Sequence, residues 1–282
     1  MTASASLVVV QGLTKRFGGL TAVNDLDFEM HEGEVLGLIG PNGAGKSTTF
    51  NVMCGTYPAS AGSIRLGGEE ILGLPSHRIA ARGIMRTFQH NMPFEGMSVA
   101  DNVMVGAQTT IRQGLVRVLL GTAAARAEES AVRTRADELI DFVGLAAERD
   151  TPVTSLSFGQ GRLLETARAL AGNPRIILFD EPAAGLTPDE CERLGTIIRG
   201  IAERGIAVLL IEHDMHFLMP LADRVIVLNF GRKIADGAPD TIRRDPAVVD
   251  AYLGEAGGVG ADHEAGEVRD GKAGTEAGGG NA

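Results

Sequence analysis

Gly40-Pro41-Asn42-Gly43-Ala44-Gly45-Lys46-Ser47 decides how the rest of this chain reads. The octet fits the pattern G-x-x-x-x-G-K-[ST]. Glu34-Val35-Leu36-Gly37-Leu38-Ile39 runs into it and reads as a buried strand, while Ser47 to Cys54 reads as a helix leaving it. A glycine-rich loop between strand and helix lets successive backbone N–H groups curl around phosphate oxygens. The helix N-terminus adds partial positive charge at the same point. Gly40 to Thr48 are therefore expected to hold a nucleotide, with Lys46 reaching its β- and γ-phosphates and Ser47 holding Mg²⁺. Lysine is scarce here, occurring only at positions 15, 46, 233 and 272, so its place in the octet is not background composition.

A second strand points to the same chemistry. Ile176-Ile177-Leu178-Phe179 is apolar and ends in Asp180-Glu181, with Pro182 as a stop. A strand buried on both faces ends in acids where the sheet edge opens onto a site. Asp180 is expected to bind Mg²⁺, directly or through water, and Glu181 to polarise an attacking water as general base. Two adjacent carboxylates repel unless a cation lies beside them, and Mg²⁺–ATP supplies one.

Leu156-Ser157-Phe158-Gly159-Gln160 opens a third segment, a helical stretch closed near Ala171 by Gly172-Asn173-Pro174. Ser157 suits a helix N-cap and Gly159 allows close backbone approach. The order of these three segments resembles the ABC-type ATPases, whose signature reads LSGGQ; Phe158 stands here for the first glycine of that pair. The resemblance covers about residues 7–254. It implies an α/β fold with a P-loop NTPase core of mixed, mainly parallel sheet, an N-terminal antiparallel β-subdomain and an inserted helical subdomain, about residues 92–161. It also implies roles for single residues. Phe17 matches the aromatic that stacks on adenine. Gln89, in Arg86-Thr87-Phe88-Gln89, matches the glutamine that joins nucleotide and Mg²⁺ to the membrane partner. His213 matches the switch histidine on the γ-phosphate, and Ser157 and Gly159 match groups lent to the ATP of a second subunit. Thr187 departs from the family, which usually carries Asp there. Thr187-Pro188-Asp189-Glu190 has its own structural reading as a capping box with proline at the first helical position.

The remaining chain fits this organisation. Leu7 to Val10 and Leu26 to Met30 read as strands, and Ser63 to Leu66 and Glu69 to Leu72 flank Gly67-Gly68 as a hairpin. Strands near Val35, Ile84, Ile176, Val208 and Val225 alternate with helices, as parallel pairing requires. Asn229-Phe230-Gly231 reads as the turn of a late hairpin, and Thr122 to Val143 as a helix. Met92, Phe94 and Met97 form an apolar group beside a loop, suited to a partner helix. Residues 255–282 include nine glycines in 28 positions, with six acids against two bases, and read as a disordered acidic tail.

Bulk properties narrow the function. With 26 basic against 36 acidic groups, the formal charge of −10 argues against a general nucleic-acid binder. Cys54 and Cys191 lack metal-ligand spacing and read as buried small residues of a reducing compartment. No signal peptide and no apolar run of about 18 residues is evident, so a transport path is expected in another chain.

Within the family, Arg86-Thr87-Phe88-Gln89-His90, the extended region from Gly106 to Ala136, Ala183-Ala184-Gly185-Leu186, Glu212-His213-Asp214-Met215 and the run Asp245-Pro246 to Gly254 resemble the ATPase of branched-chain amino-acid uptake systems. This implies a peripheral subunit on the cytoplasmic face of a bacterial membrane. Its partners would be integral-membrane permeases, a second ATPase of the same or a sibling chain, and indirectly an extracytoplasmic solute-binding protein. The alternatives are an importer of urea or amides, a lipid or lipopolysaccharide exporter, and a soluble ABC protein acting on ribosomes or DNA. The last generally needs two nucleotide sites or a long coiled coil, and this chain has one P-loop and no sustained heptads.

Overall fold

A six-stranded sheet carries the predicted strand near Val35 at its centre. In a computed structural model that describes residues 6–87, 93–107 and 123–258, the chain forms ten strands among the described residues. β1 (Val8–Phe17), β2 (Leu20–Met30), β4 (Ala61–Leu66) and β5 (Glu69–Glu70) make an antiparallel sheet in the order β2-β1-β4-β5. β3 (Val35–Ile39), β6 (Ile84–Arg86), β7 (Ile176–Asp180), β8 (Ala207–Ile211), β9 (Arg224–Asn229) and β10 (Arg232–Gly237) make the larger sheet in the order β10-β9-β3-β8-β7-β6. Pairings from β9 through β6 are parallel, and the β9–β10 pairing is antiparallel.

Every residue of β3, β7 and β8 is buried. Their side chains alternate between two apolar cores, one on each face of the sheet. Leu36, Leu38, Leu178, Leu209 and Ile211 join Leu13, Leu26 and Met30 of the antiparallel sheet and Phe50 and Met53 of α1 (Lys46–Met53). Val35, Ile39, Ile177, Phe179, Val208 and Leu210 face the helices on the other side. Covered faces of this kind are what continuous apolar strands need.

Three helices form the helical part: α3 (Val99–Gly106), α4 (Ala123–Phe142) and α5 (Phe158–Ala171), with α3 and α4 both packed on α5. The short α2 (Ser76–Ala80) precedes β6. α6 (Pro188–Glu203) follows the β7 turn, and α7 (Met215–Leu221) follows β8. α8 (Pro239–Ile242) and α9 (Pro246–Gly258) close the described chain. α9 reaches four residues past the expected start of the acidic tail; residues 259–282 lie outside the described residues.

Local expectations meet specific outcomes. Thr187 caps α6, its hydroxyl accepting the Glu190 N–H, with the reciprocal carboxylate bond and Pro188 present. The Asn229-Phe230-Gly231 turn is a hairpin turn with Phe230 at φ 44° and Gly231 at φ 76°. The hairpin after Gly67-Gly68 sets Glu69 opposite Leu66 and Glu70 opposite Arg65, and the Glu70 carboxylate accepts the N–H groups of Ile64 and Leu72. One expectation is corrected: Cys54 and Cys191 are each half-buried rather than buried, since Cys54 ends α1 and Cys191 lies on the partly open face of α6. No helix among the described residues is long and apolar enough to cross a membrane.

Candidate active site at the carboxyl ends of the parallel strands

The phosphate loop, Asp180, Glu181 and His213 all follow the carboxyl ends of neighbouring parallel strands, where open α/β sheets place their ligands. The loop itself is fixed from outside. Gly40 has φ 146°, and a Cβ there would sit 2.1 Å from the Leu228 carbonyl oxygen of β9. Gly45 has φ 104°, and its Cβ would meet the Ala22 carbonyl oxygen of β2 at 2.4 Å. The N–H of Gly231 donates to the Ala44 carbonyl at 3.0 Å, so the β9–β10 turn forms the floor of the loop. Only glycine allows these approaches.

Gly45 is the N-cap of α1 and supplies no side-chain cap. The first N–H groups of the helix therefore remain for an anion. Lys46 folds over the loop, its Nζ donating to the carbonyls of Gly40 at 2.6 Å and Pro41 at 2.9 Å. Pro41 and Ala44 are buried, Asn42, Gly43 and Ser47 are exposed, and Thr48 is half-buried. Gly43 has φ 76°, and an added Cβ would meet nothing within 4 Å, so this side of the loop opens outward.

Asp180 ends β7 with a side chain only 3% exposed. Its Oδ2 accepts from Arg86 on the adjacent β6 at 2.9 Å, and the other arm of Arg86 donates to Asn51 of α1 at 2.8 Å. Burial pushes the Asp180 carboxyl up, and Arg86 pulls it back toward the charged form. Glu181 follows with φ 50°, left-handed for a non-glycine residue, and its N–H donates to the Ile211 carbonyl at 2.9 Å. Strain of this kind is typical of catalytic turns. The carboxylate stays about one-third exposed and lies 3.9 Å from His213 Nδ1. His213 sits between β8 and α7, where Asp214 caps α7 by accepting from His216 and Phe217. The donor set of a hydroxyl and one carboxylate suits a hard cation that keeps waters and phosphate oxygens as its other ligands.

Phe17 ends β1 and is 43% exposed, with Tyr57 edge-on at 5.5 Å and Lys15 Nζ 4.6 Å from its centroid. Lys15 is anchored on the Pro58 carbonyl at 2.8 Å. Ser157 and Gly159 have partners of their own at the start of α5. Ser157 caps α5 through the Gln160 N–H, and Gly159 is packed against the Glu190 side chain. Phe158 lays its ring over Arg162 and against Gly185, in the loop that follows Glu181. Gln89 and Met92 lie outside the described residues. Phe94 and Met97 are 45% and 40% exposed.

Three further residues matter that sequence reasoning gave no role. Arg86 holds Asp180, a pairing that depends on β6 lying beside β7. Asn102, fully buried, clamps the backbone of Phe94 from both sides, accepting its N–H at 2.8 Å and donating to its carbonyl at 3.3 Å. Glu212 is buried beside His213. Arg86 stood in the run Arg86 to Gln89 and Glu212 in the run Glu212 to Met215, but neither run named these partners, and Asn102 had no signal.

Comparison with known proteins agrees with this geometry. The family described as "ABC transporter" matches residues 23–184, and "Branched-chain amino acid ATP-binding cassette transporter" matches residues 232–257. The chain is 43% identical over 254 residues to the high-affinity branched-chain amino acid transport ATP-binding protein BraF of Pseudomonas aeruginosa, covering 90% of this chain and 100% of that protein. It is 36% identical over 250 residues to the lipopolysaccharide export system ATP-binding protein LptB of Haemophilus influenzae, covering 89% and 98%. Among solved structures, the ADP conformation of MJ1267, an ATP-binding cassette of an ABC transporter, superposes with a TM-score of 0.78 at 29% identity, covering 89% of this chain and 100% of that one. A nucleotide-binding loop on a parallel sheet, an acidic strand end beside it and relatedness over nine-tenths of the chain lead to one conclusion: the chain belongs to the ABC transporter family and is one of its ATP-binding, ATP-hydrolysing subunits.

Proposed function

We propose that this subunit couples Mg²⁺-dependent ATP hydrolysis to the import of branched-chain or other hydrophobic amino acids. The observation that carries the catalytic part is the convergence of Lys46, Asp180, Glu181 and His213 at the ends of adjacent parallel strands. The amino-acid cargo is supported by the likeness to BraF and by the C-terminal family match, and the lower identity to LptB ranks export second.

In this reading Phe17 stacks on adenine, and the loop from Gly40 to Thr48 holds the phosphates. Lys46 exchanges its carbonyl partners for phosphate oxygens, a charge-assisted bond of greater strength. Mg²⁺, when bound, would be held by Ser47, Gln89 and Asp180 and would offset negative charge on the phosphates. Glu181 accepts a proton from the attacking water, and His213 contacts the γ-phosphate. Ser157 and Gly159 serve the ATP of a second subunit. The subunit sits on the cytoplasmic face of the membrane, with permease chains as partners and a solute-binding protein beyond them. Phe94 and Met97 receive a short helix of the permease.

The test is uptake of labelled leucine in cells lacking this chain, with the wild type or Glu181→Gln returned. Leucine uptake restored only by the wild type supports the proposal. Leucine uptake unchanged by the deletion would move the cargo elsewhere.

A further inference from the structure

Glu212 is a buried acid with an unfinished set of bonds. The residue is 1% exposed and lies directly before His213. Its Oε1 accepts the Ala183 N–H at 2.8 Å. Ala183 belongs to the turn that begins at Glu181, where the backbone is held at φ 50°. Its Oε2 is buried with no hydrogen-bond partner among the described residues. A buried acceptor in this state takes its partner from an ordered water or from a group that arrives in another state of the molecule. The backbone N–H groups of His213 and Asp214 also face this carboxylate, and the side-chain donor beside it is His213 Nδ1, 3.9 Å from Glu212 Oε2 and 3.9 Å from Glu181 Oε1. That is about an ångström beyond bonding range. His213 itself is 68% exposed, so its ring has room to turn.

We propose that Glu212 is a positioning residue for His213. The inference rests on the reading of His213 as the γ-phosphate contact. One carboxylate oxygen registers the Glu181 turn through Ala183. The other receives Nδ1 when the ring swings into place. An imidazole whose Nδ1 faces Glu212 points Nε2 the opposite way, toward the nucleotide. The two halves of the catalytic pair, which follow β7 and β8, are thereby set against one buried group. A second acid near an imidazole fixes ring orientation in just this manner in other sites.

The test uses the full-length chain assembled with its transport partners. Glu212→Gln keeps an oxygen for the Ala183 N–H but turns an amide donor toward His213. A role confined to holding Ala183 is therefore preserved, and a role toward His213 is not. The expected result is a fall in kcat of about tenfold, the scale of outer-shell partners, with KM for ATP and Tm close to wild type. In a His213→Ala background, Glu212→Gln should add nothing further, because the two act as a unit. Unchanged kcat in Glu212→Gln, or an equal fall in both backgrounds, overturns the inference. Full activity of His213→Ala alone overturns instead the reading of His213 on which it rests. Glu212→Ala, which loses the Ala183 bond as well, should lower Tm and separates the structural contribution from the positioning one.

Discussion

Arg86 donates to Asp180 at 2.9 Å across the edge of the parallel sheet, from a strand that precedes its partner by 94 positions. The guanidinium is one-fifth exposed and the carboxylate almost sealed. A cation from β6 is thus built beside the Asp180 carboxyl and opposes the upward push of burial. The same guanidinium reaches Asn51 of α1 and faces the Phe50 ring at 5.5 Å, so it ties the acidic strand to the helix that starts at the phosphate loop.

Arg86→Met should leave a buried carboxylate without its partner. Breaking a buried pair from one side costs about 3–5 kcal/mol. The measure is a lower midpoint in urea unfolding. An unchanged midpoint would mean that Asp180 gains its compensation elsewhere.

Glu181→Gln keeps the side-chain volume and removes the base. Hydrolysis should fall by about 10² to 10⁴, the usual contribution of a positioned base. ATP affinity by calorimetry should survive, since the phosphates are held by the loop and Lys46. Retained turnover would take the base role away from Glu181.

Thr187→Ala should cost about 1 kcal/mol of stability, the worth of a lost N-cap. ATP hydrolysis should hardly change, because the Thr187 hydroxyl is engaged with Glu190. A large loss of kcat at unchanged stability would give this position a role in the chemistry after all.

Ser157→Arg places a long cation where a second subunit's phosphates are expected. Combined with Glu181→Gln, which holds ATP unhydrolysed, it should weaken ATP-dependent dimerisation in size-exclusion chromatography. A dimer that forms equally well with and without ATP would remove the nucleotide from the interface.

Phe94→Asp should separate transport from hydrolysis. An unpaired charge in an apolar socket is costly to bury, so uptake and co-purification with the permease should fall. ATPase activity of the free subunit should persist, because the Phe94 backbone stays clamped by Asn102. Normal uptake would place the docking surface elsewhere.

The sequence exposed what is local. Gly40 to Ser47 declares a loop geometry, and Ile176 to Asp180 is apolar because both its faces are covered. Thr187 to Glu190 spells a capping box that forms as written. Partnerships across the sheet were not legible in the same way. That Arg86 meets Asp180 depends on β6 lying at the edge beside β7, and strand order leaves no mark on periodicity. The same holds for Glu212 and Ala183, which come from different strand ends, and for Phe158 against Gly185. The half-exposure of Cys54 follows from the end of α1 rather than from its composition.

The floor of the phosphate loop also says something about how the chain is made. β3 lies between β8 and β9, and Ala44 is bonded to Gly231. The loop emerges early during synthesis, yet the Leu228 and Gly231 backbone that shapes it comes near the end of the described chain. Such distant pairings make closure slow, because a long stretch of chain must be ordered first. A nascent subunit stopped before β9 would carry the full octet and still lack the surface that shapes it. Nucleotide binding is then a late event in biogenesis, and it reports that the last strands have docked.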